Sequence, residues 1–127
     1  MVKEFINLPS TQTRPYSSAV RAGDYIFVSG HLGSVDSEGK EVQGIVAQTK
    51  QCLDNVKQTL AAAGASLDDV VKVTVFLHSE KDFAGMNEAY QSYFPEEKPA
   101  RSTVVSGLVL PNMLIEIECI AFVPSCS

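Results

Sequence analysis

The sequence predicts an α+β domain in which a β-sheet carries two helices on one of its faces. Three observations lead there. Apolar residues recur at spacings of three and four in two segments, Val46 to Ala63 and Phe83 to Phe94. Alternation with one fully apolar face marks Val70 to Leu77 and Leu114 to Phe122. The segments run β, β, β, α, β, α, β, β, with no repeat or interdomain linker, which suits one sheet covered on one side.

Val2 to Ile6 reads as a short edge strand ended by Pro9, followed by a polar stretch through Pro15 and Tyr16. Ser18 to Arg21 and Tyr25 to Ser29 bracket Ala22-Gly23-Asp24, a hairpin turn. Gly30 to Gly33 and Asp36 to Lys40 carry loop chemistry. Val46, Thr49, Leu53, Val56, Leu60 and Ala63 then form one helical face, with Gly64 at the position past the helix end and Lys50, Gln51, Asp54 and Lys57 on the opposite side. After Ser66 to Asp69, a capped turn, comes the strand Val70 to Leu77. Ser79-Glu80-Lys81-Asp82 resembles a capping box opening a second helix, which Pro95 stops; its apolar face is Phe83, Met86, Tyr90 and Phe94, and Asn87 falls on it. A strand from Pro99 to Val105 carries Arg101. The last strand separates Ile115, Ile117, Cys119 and Ala121 from Leu114, Glu116, Glu118, Ile120 and Phe122. If helices cover the first set, the second is too apolar for an open surface, so an oligomer that buries it is expected.

At 127 residues and 45% hydrophobic content the chain suits a single domain spanning 1–127. The net charge of −5 argues against nucleic acid, which demands a basic surface. Cys52, Cys119 and Cys126 are odd in number and widely spaced, with no CxxC pair and no His/Cys cluster, so neither a disulfide framework nor a metal site is expected. No apolar run is long enough to span a membrane, and the N-terminus has no signal-like region, so a cytoplasmic protein is the expectation. Phosphate loops, dinucleotide-binding glycines and nucleophile elbows are also missing from the sequence.

The candidate chemistry lies in charges set on core-like strands, because an embedded charge must be paired or used. The Arg101 guanidinium matches a carboxylate fork and suits an anchor for a small acid; the commoner use of such an arginine is a structural ion pair, here to Glu116 or Glu118, or a solvated place at a sheet edge. Glu116 fits either a general base or a half-exposed surface carboxylate. Asn87 must satisfy its amide on a ligand or a loop. Tyr16 either lines a pocket or packs, and Ser29-Gly30 offers a hydroxyl and close backbone approach at a strand end.

Pro99-Ala100-Arg101-Ser102, Ile115-Glu116-Ile117-Glu118-Cys119-Ile120-Ala121, Arg14-Pro15-Tyr16-Ser17, Phe27-Val28-Ser29-Gly30 and Phe83 to Tyr90 appear in order. In these blocks the chain resembles the Rid (YjgF-type) family of reactive intermediate deaminases over nearly its whole length. The resemblance implies a chorismate-mutase-like subunit with a mixed sheet, a homotrimer with clefts between subunits, and cofactor-free hydrolysis of 2-imino acids or their enamine tautomers. It implies Arg101 as carboxylate anchor, Glu116 as the residue that positions water, and Tyr16, Ser29, Gly30, Asn87 and Thr103 as substrate-binding positions. Thr103 stands where the family often has cysteine, Arg14 replaces a common glycine, and His31 follows Gly30 where glutamine or another residue is usual. Other readings are a related enamine deaminase, such as one acting on 2-aminomuconate, a ligand-binding regulator, and an RNA-acting translation inhibitor.

Overall fold

The computed structural model describes residues 3–9 and 14–124. Val2, the polar residues 10–13 and Cys126 lie outside the described residues. Six strands, β1 (Lys3–Ile6), β2 (Ala19–Ala22), β3 (Tyr25–Leu32), β4 (Val70–Leu77), β5 (Ala100–Val105) and β6 (Ile115–Phe122), form one sheet in the order β1-β2-β3-β6-β4-β5. All neighbours are antiparallel except β4 and β5, which makes the sheet mixed, as expected. Helices α1 (Ile45–Ala62) and α2 (Phe83–Gln91) complete the fold.

Pleat alternation decides which side chains meet the helices. Ile6, Ala19, Val28, Cys119, Val73 and Arg101 lie in register across all six strands. The first five are buried, which marks this row as helix-facing and assigns Arg101 at its far end to the same face. Ile26, Ile117, Val75, Leu77 and Ile115 fill neighbouring rows against Leu53, Val56 and Leu60 of α1 and Met86 and Tyr90 of α2. The opposite face carries Phe5, Val20, Phe27, Ile120 and Lys72 in a second continuous row. Its aromatic members stay open to solvent, Phe5 at 62% and Phe27 at 47% exposure.

Three sequence expectations need correction. Gly30 to Leu32 is strand rather than loop: Val28 pairs with Cys119 and His31 with Ile117, so Ser29 and Gly30 together oppose the single residue Glu118. That two-against-one count is a β-bulge, whose glycine imitates a loop signal in sequence. Helix α2 ends at Gln91, short of Pro95, and Phe94 reaches the core from the following turn. Ser79 accepts from Lys81 N at 3.2 Å, so the chain enters α2 through a 3₁₀ turn, Glu80–Asp82, rather than a capping box.

Immediately after β3, Gly33 meets the backbone of α1. A Cβ built on Gly33 would overlap Gln48 O and lie 2.7 Å from Cys52 N, neither of which a rotamer change can move. Gly33→Ala is therefore expected to lower unfolding free energy by about 2 kcal/mol or more, as measured by urea denaturation. Wild-type stability in that variant would show that α1 does not pack on Gly33 this closely.

Candidate active site

The predicted site residues fall into two groups on opposite faces of the sheet. The first lies between α2 and the edge strand β5. The Arg101 Cζ sits 4.7 Å from the Tyr90 ring centroid and 6.0 Å from that of Phe83, and its Nη1 is 3.7 Å from Met86 Sδ. Two aromatic faces and a thioether thus hold the guanidinium stem and plane without neutralising its charge. Asn87 shares the helical face of Phe83 and Tyr90 by its spacing, and among the described residues its amide makes no hydrogen bond. Thr103 lies one pleat beyond Arg101 on the same face, opposite Val75. Because β5 pairs only with β4, its outer row of backbone groups is unpaired by the sheet.

The second group surrounds the bulge. Glu116 points to the face away from the helices and seats its carboxylate against Gly30: a Cβ there would overlap Glu116 Oε2. The bulge thus needs glycine for close approach of a carboxylate, a requirement of contact rather than of backbone dihedral. Ser29 anchors the bulge to the preceding segment, donating from Oγ to Ser17 O at 2.6 Å and from N to Ser18 O at 3.0 Å. Tyr16 and Gly30 line one cavity of about 440 Å³ together with Arg14, His31, Ser34 and, from α1, Asn55 and Gln58; Glu116 and Ser29 are not among its lining residues.

Register rules out an ion pair between Arg101 and Glu116 or Glu118 within the chain. Arg101 shares the row of Cys119, whereas Glu116 and Glu118 point the other way. Lys40 to Glu38, at 3.9 Å on the surface, is the ion pair found among the described residues, so Arg101 and Glu116 both lack an opposite-charge partner there. Burial, reinforced by the nearby charge of Glu118, raises the Glu116 pKa above the ordinary carboxylate value. No group of three or more His, Cys, Asp or Glu side chains suited to a metal occurs among the described residues, and no helix there is long and apolar enough to cross a membrane.

The sequence reading overlooked a polar stripe on α1. Gln48, Cys52, Asn55 and Thr59 recur at helical spacing beside the apolar face, and each reaches the loops or strand ends that carry the site. Gln48 donates to Val42 O and Asn112 O, both at 3.0 Å, and accepts from Leu114 N at 3.0 Å, which fixes the entry to β6 two residues before Glu116. Cys52 Sγ lies 3.0 Å from His31 O, and Asn55 donates to Leu32 O at 2.8 Å. The periodic polar spacing was the available signal, masked because polar residues usually mark the wet side of a helix.

Since folding disfavours the charged form of Glu116, Glu116→Gln is expected to melt at or above the wild-type temperature at neutral pH. The raised folded-state pKa adds relative stability to the wild type at low pH and loses it as pH rises, so the gap should close on acidification through the carboxylate range. A Glu116→Gln protein less stable than wild type at neutral pH would show that the fold stabilises the carboxylate.

Comparison with known proteins places this geometry. The family model for endoribonuclease L-PSP matches residues 7–123. A curated relative in Arabidopsis thaliana, Reactive Intermediate Deaminase A (chloroplastic), is 44% identical over 108 residues, covering 84% of this chain and 58% of its own. The 3-aminoacrylate deaminase RutC of Acinetobacter baylyi is 41% identical over 110 residues, 86% of this chain and 87% of its own. The crystal structure of the YjgF gene product from E. coli superposes with a TM-score of 0.86 at 35% identity, covering 94% of this chain and 98% of that one. Matched over nearly its whole length by model, sequence and structure, the chain belongs to the Rid (YjgF-type) family, whose named members include a reactive intermediate deaminase and a 3-aminoacrylate deaminase.

Proposed function

We propose that the protein hydrolyses 2-imino acids and their enamine tautomers, such as 2-aminoacrylate and 2-iminobutanoate, to 2-oxo acids and ammonia, in clefts between the subunits of a homotrimer. One observation carries the reading: two charges on core strands, Arg101 and Glu116, are left unneutralised on opposite faces of the same sheet. A subunit cannot bring them together, whereas two subunits can, if the exposed face of one packs near β5 and α2 of the next. The apolar row of Phe5, Phe27 and Ile120 supplies the surface for that packing.

In the proposed reaction Arg101 of one subunit binds the substrate carboxylate bidentately, and the amide of Asn87 and the backbone of β5 near Thr103 complete that half. Tyr16, Ser29 and Gly30 of the next subunit shape the other half around the reacting carbon. An enamine first tautomerises to the imine. On the protonated imine, Glu116 accepts one proton from water as the water oxygen attacks the imine carbon, giving a tetrahedral carbinolamine with NH2 and hydroxyl on one carbon. Glu116 passes that proton to nitrogen, the C–N bond breaks to release ammonia, and the carbonyl forms as the hydroxyl proton returns to the Glu116 carboxylate. A carboxylate whose pKa is raised by burial suits this exchange because it is a stronger base toward the water proton and can hand the same proton on. Orientation supplies much of the remaining acceleration.

The ribonuclease reading attached to the family model is disfavoured by the charge: −5 over 127 residues leaves little to hold a phosphate backbone. The names of relatives favour a deaminase without choosing among enamine acids, and a panel of imino acids generated in situ would rank them.

Arg101→Ala is expected to lose about tenfold to a hundredfold or more in kcat/KM, the scale of charge-assisted hydrogen bonds to a carboxylate, while remaining folded. Mixing is the sharper measurement. Arg101→Ala and Glu116→Gln chains, each strongly impaired alone, should regain about a quarter of wild-type turnover when co-refolded in equal amounts, because each cleft draws one contributor from each of two subunits. If the mixture stays as inactive as its components while forming intact oligomers, the shared cleft is wrong.

A further inference from the structure

We propose that His31 is a positioning residue for the Glu116 carboxylate, acting as a neutral imidazole bridge from α1 to the backbone of the Ser29–Gly30 bulge. The inference rests on the deaminase reading and extends it to a side chain outside the reacting set.

A bulge is the soft point of a strand, because its extra residue interrupts the ladder and its backbone must be held by other bonds. Here the two bonds from Ser29 to Ser17 O and Ser18 O tie the bulge to the segment that leads back to exposed Tyr16. The third bond runs the other way. His31 Nδ1 lies 2.6 Å from Ser29 O, and Nε2 lies 2.7 Å from Oγ1 of Thr59, a wholly buried residue of α1. A carbonyl oxygen only accepts, so Nδ1 carries a proton and donates it; burial disfavours the charged ring, and in the neutral tautomer Nε2 is left to accept from the Thr59 hydroxyl.

The chain of bonds therefore runs from Thr59 through the ring to Ser29, with one donor and one acceptor used in the neutral tautomer. The same helix also grips the strand beyond the bulge, through Cys52 to His31 O and Asn55 to Leu32 O. Gly30 stands between these holds, and its Cα is the seat of the Glu116 carboxylate, without room for a methyl group. A shift of the bulge must move that seat. Displacing a catalytic group by about 1 Å can cost on the order of a hundredfold in rate, so a loosened bulge is felt at the carboxylate before the fold is lost.

The two ring bonds can be separated by substitution. His31→Asn keeps a donor near the Nδ1 position and can still reach Ser29 O. His31→Gln keeps a group near Nε2 and can still reach Thr59, and His31→Leu keeps neither. The measurements are kcat and KM with an imino acid generated in situ, urea unfolding, and the Gly30 amide resonance by NMR. His31→Leu should lose about tenfold in kcat with KM nearly unchanged, the scale of one lost hydrogen bond expressed at the carboxylate. His31→Asn should recover most of that loss, and the Gly30 resonance should shift in the leucine and glutamine variants more than in the asparagine variant.

A purely structural histidine would lower stability in all three without splitting kcat from KM or ranking asparagine above glutamine, and that outcome overturns the proposal. So does a leucine variant with wild-type kcat. If His31→Leu does not fold, the asparagine and glutamine pair decides by the same ranking. Should the wild type hydrolyse no imino acid, the deaminase reading fails by itself, and the Gly30 resonances still report whether His31 holds the bulge.

Discussion

Strand β6 lies between β3 and β4 near the middle of the sheet, and its two-residue alternation is the constraint on which the other features depend. Ile115, Ile117, Cys119 and Ala121 must face the helices to form the core, so Glu116 and Glu118 must face away. Slipping the register by one residue would drive two carboxylates into the apolar layer and expose four core side chains, an exchange that neither solvation nor packing tolerates. The same alternation, carried through β4 into parallel β5, sends Arg101 to the helix side. The two charges are thus separated by the sheet itself, and no side-chain rearrangement within the chain can pair them.

Helix α1 serves two layers of this arrangement. Its apolar stripe, Leu53, Val56 and Leu60, is wholly buried against the sheet and anchors the core. A second stripe meets polar groups near the bulge in β3 and the loop before β6: Gln48, Cys52 and Asn55 bond backbone carbonyl and amide groups, and Thr59 bonds the His31 ring. Buried polar groups are costly when unmatched and rigidifying when matched. Here the matched set surrounds both chain segments that converge on Glu116: β6 through Gln48 and the β3 bulge through Thr59 and His31. The position of one carboxylate is set from two directions by one helix.

The features that make one subunit look incomplete are of a kind. Arg101 is cushioned by Tyr90, Phe83 and Met86 but has no counter-charge; Glu116 is partly desolvated beside Glu118; Phe5 and Phe27 stand open on the sheet. Each is unfavourable or neutral for an isolated chain, and each becomes useful if a second subunit and an anionic substrate fill the space. The pattern accords with the general rule that local departures from folding optimality concentrate where function lies.

The sequence by itself determined the elements and their faces. Periodicities of two and of 3.6 are local properties of the backbone, so the α1 and α2 segments, the four longer strands and the separation of Ile117 from Glu116 could all be read from residue spacing. It also singled out Arg101 and Glu116, because a charge in an apolar strand is visible without coordinates. Only the tertiary structure decided how those charges relate. Their separation by opposite faces follows from strand order and from the parallel register of β5 on β4, which no local pattern specifies. The bulge at Ser29–Gly30 was likewise hidden, since its glycine reads as a loop until the partner strand shows two residues opposing one. So was the role of His31, a lone histidine in sequence whose meaning depends on Thr59, 28 residues away along the chain and 2.7 Å away in space.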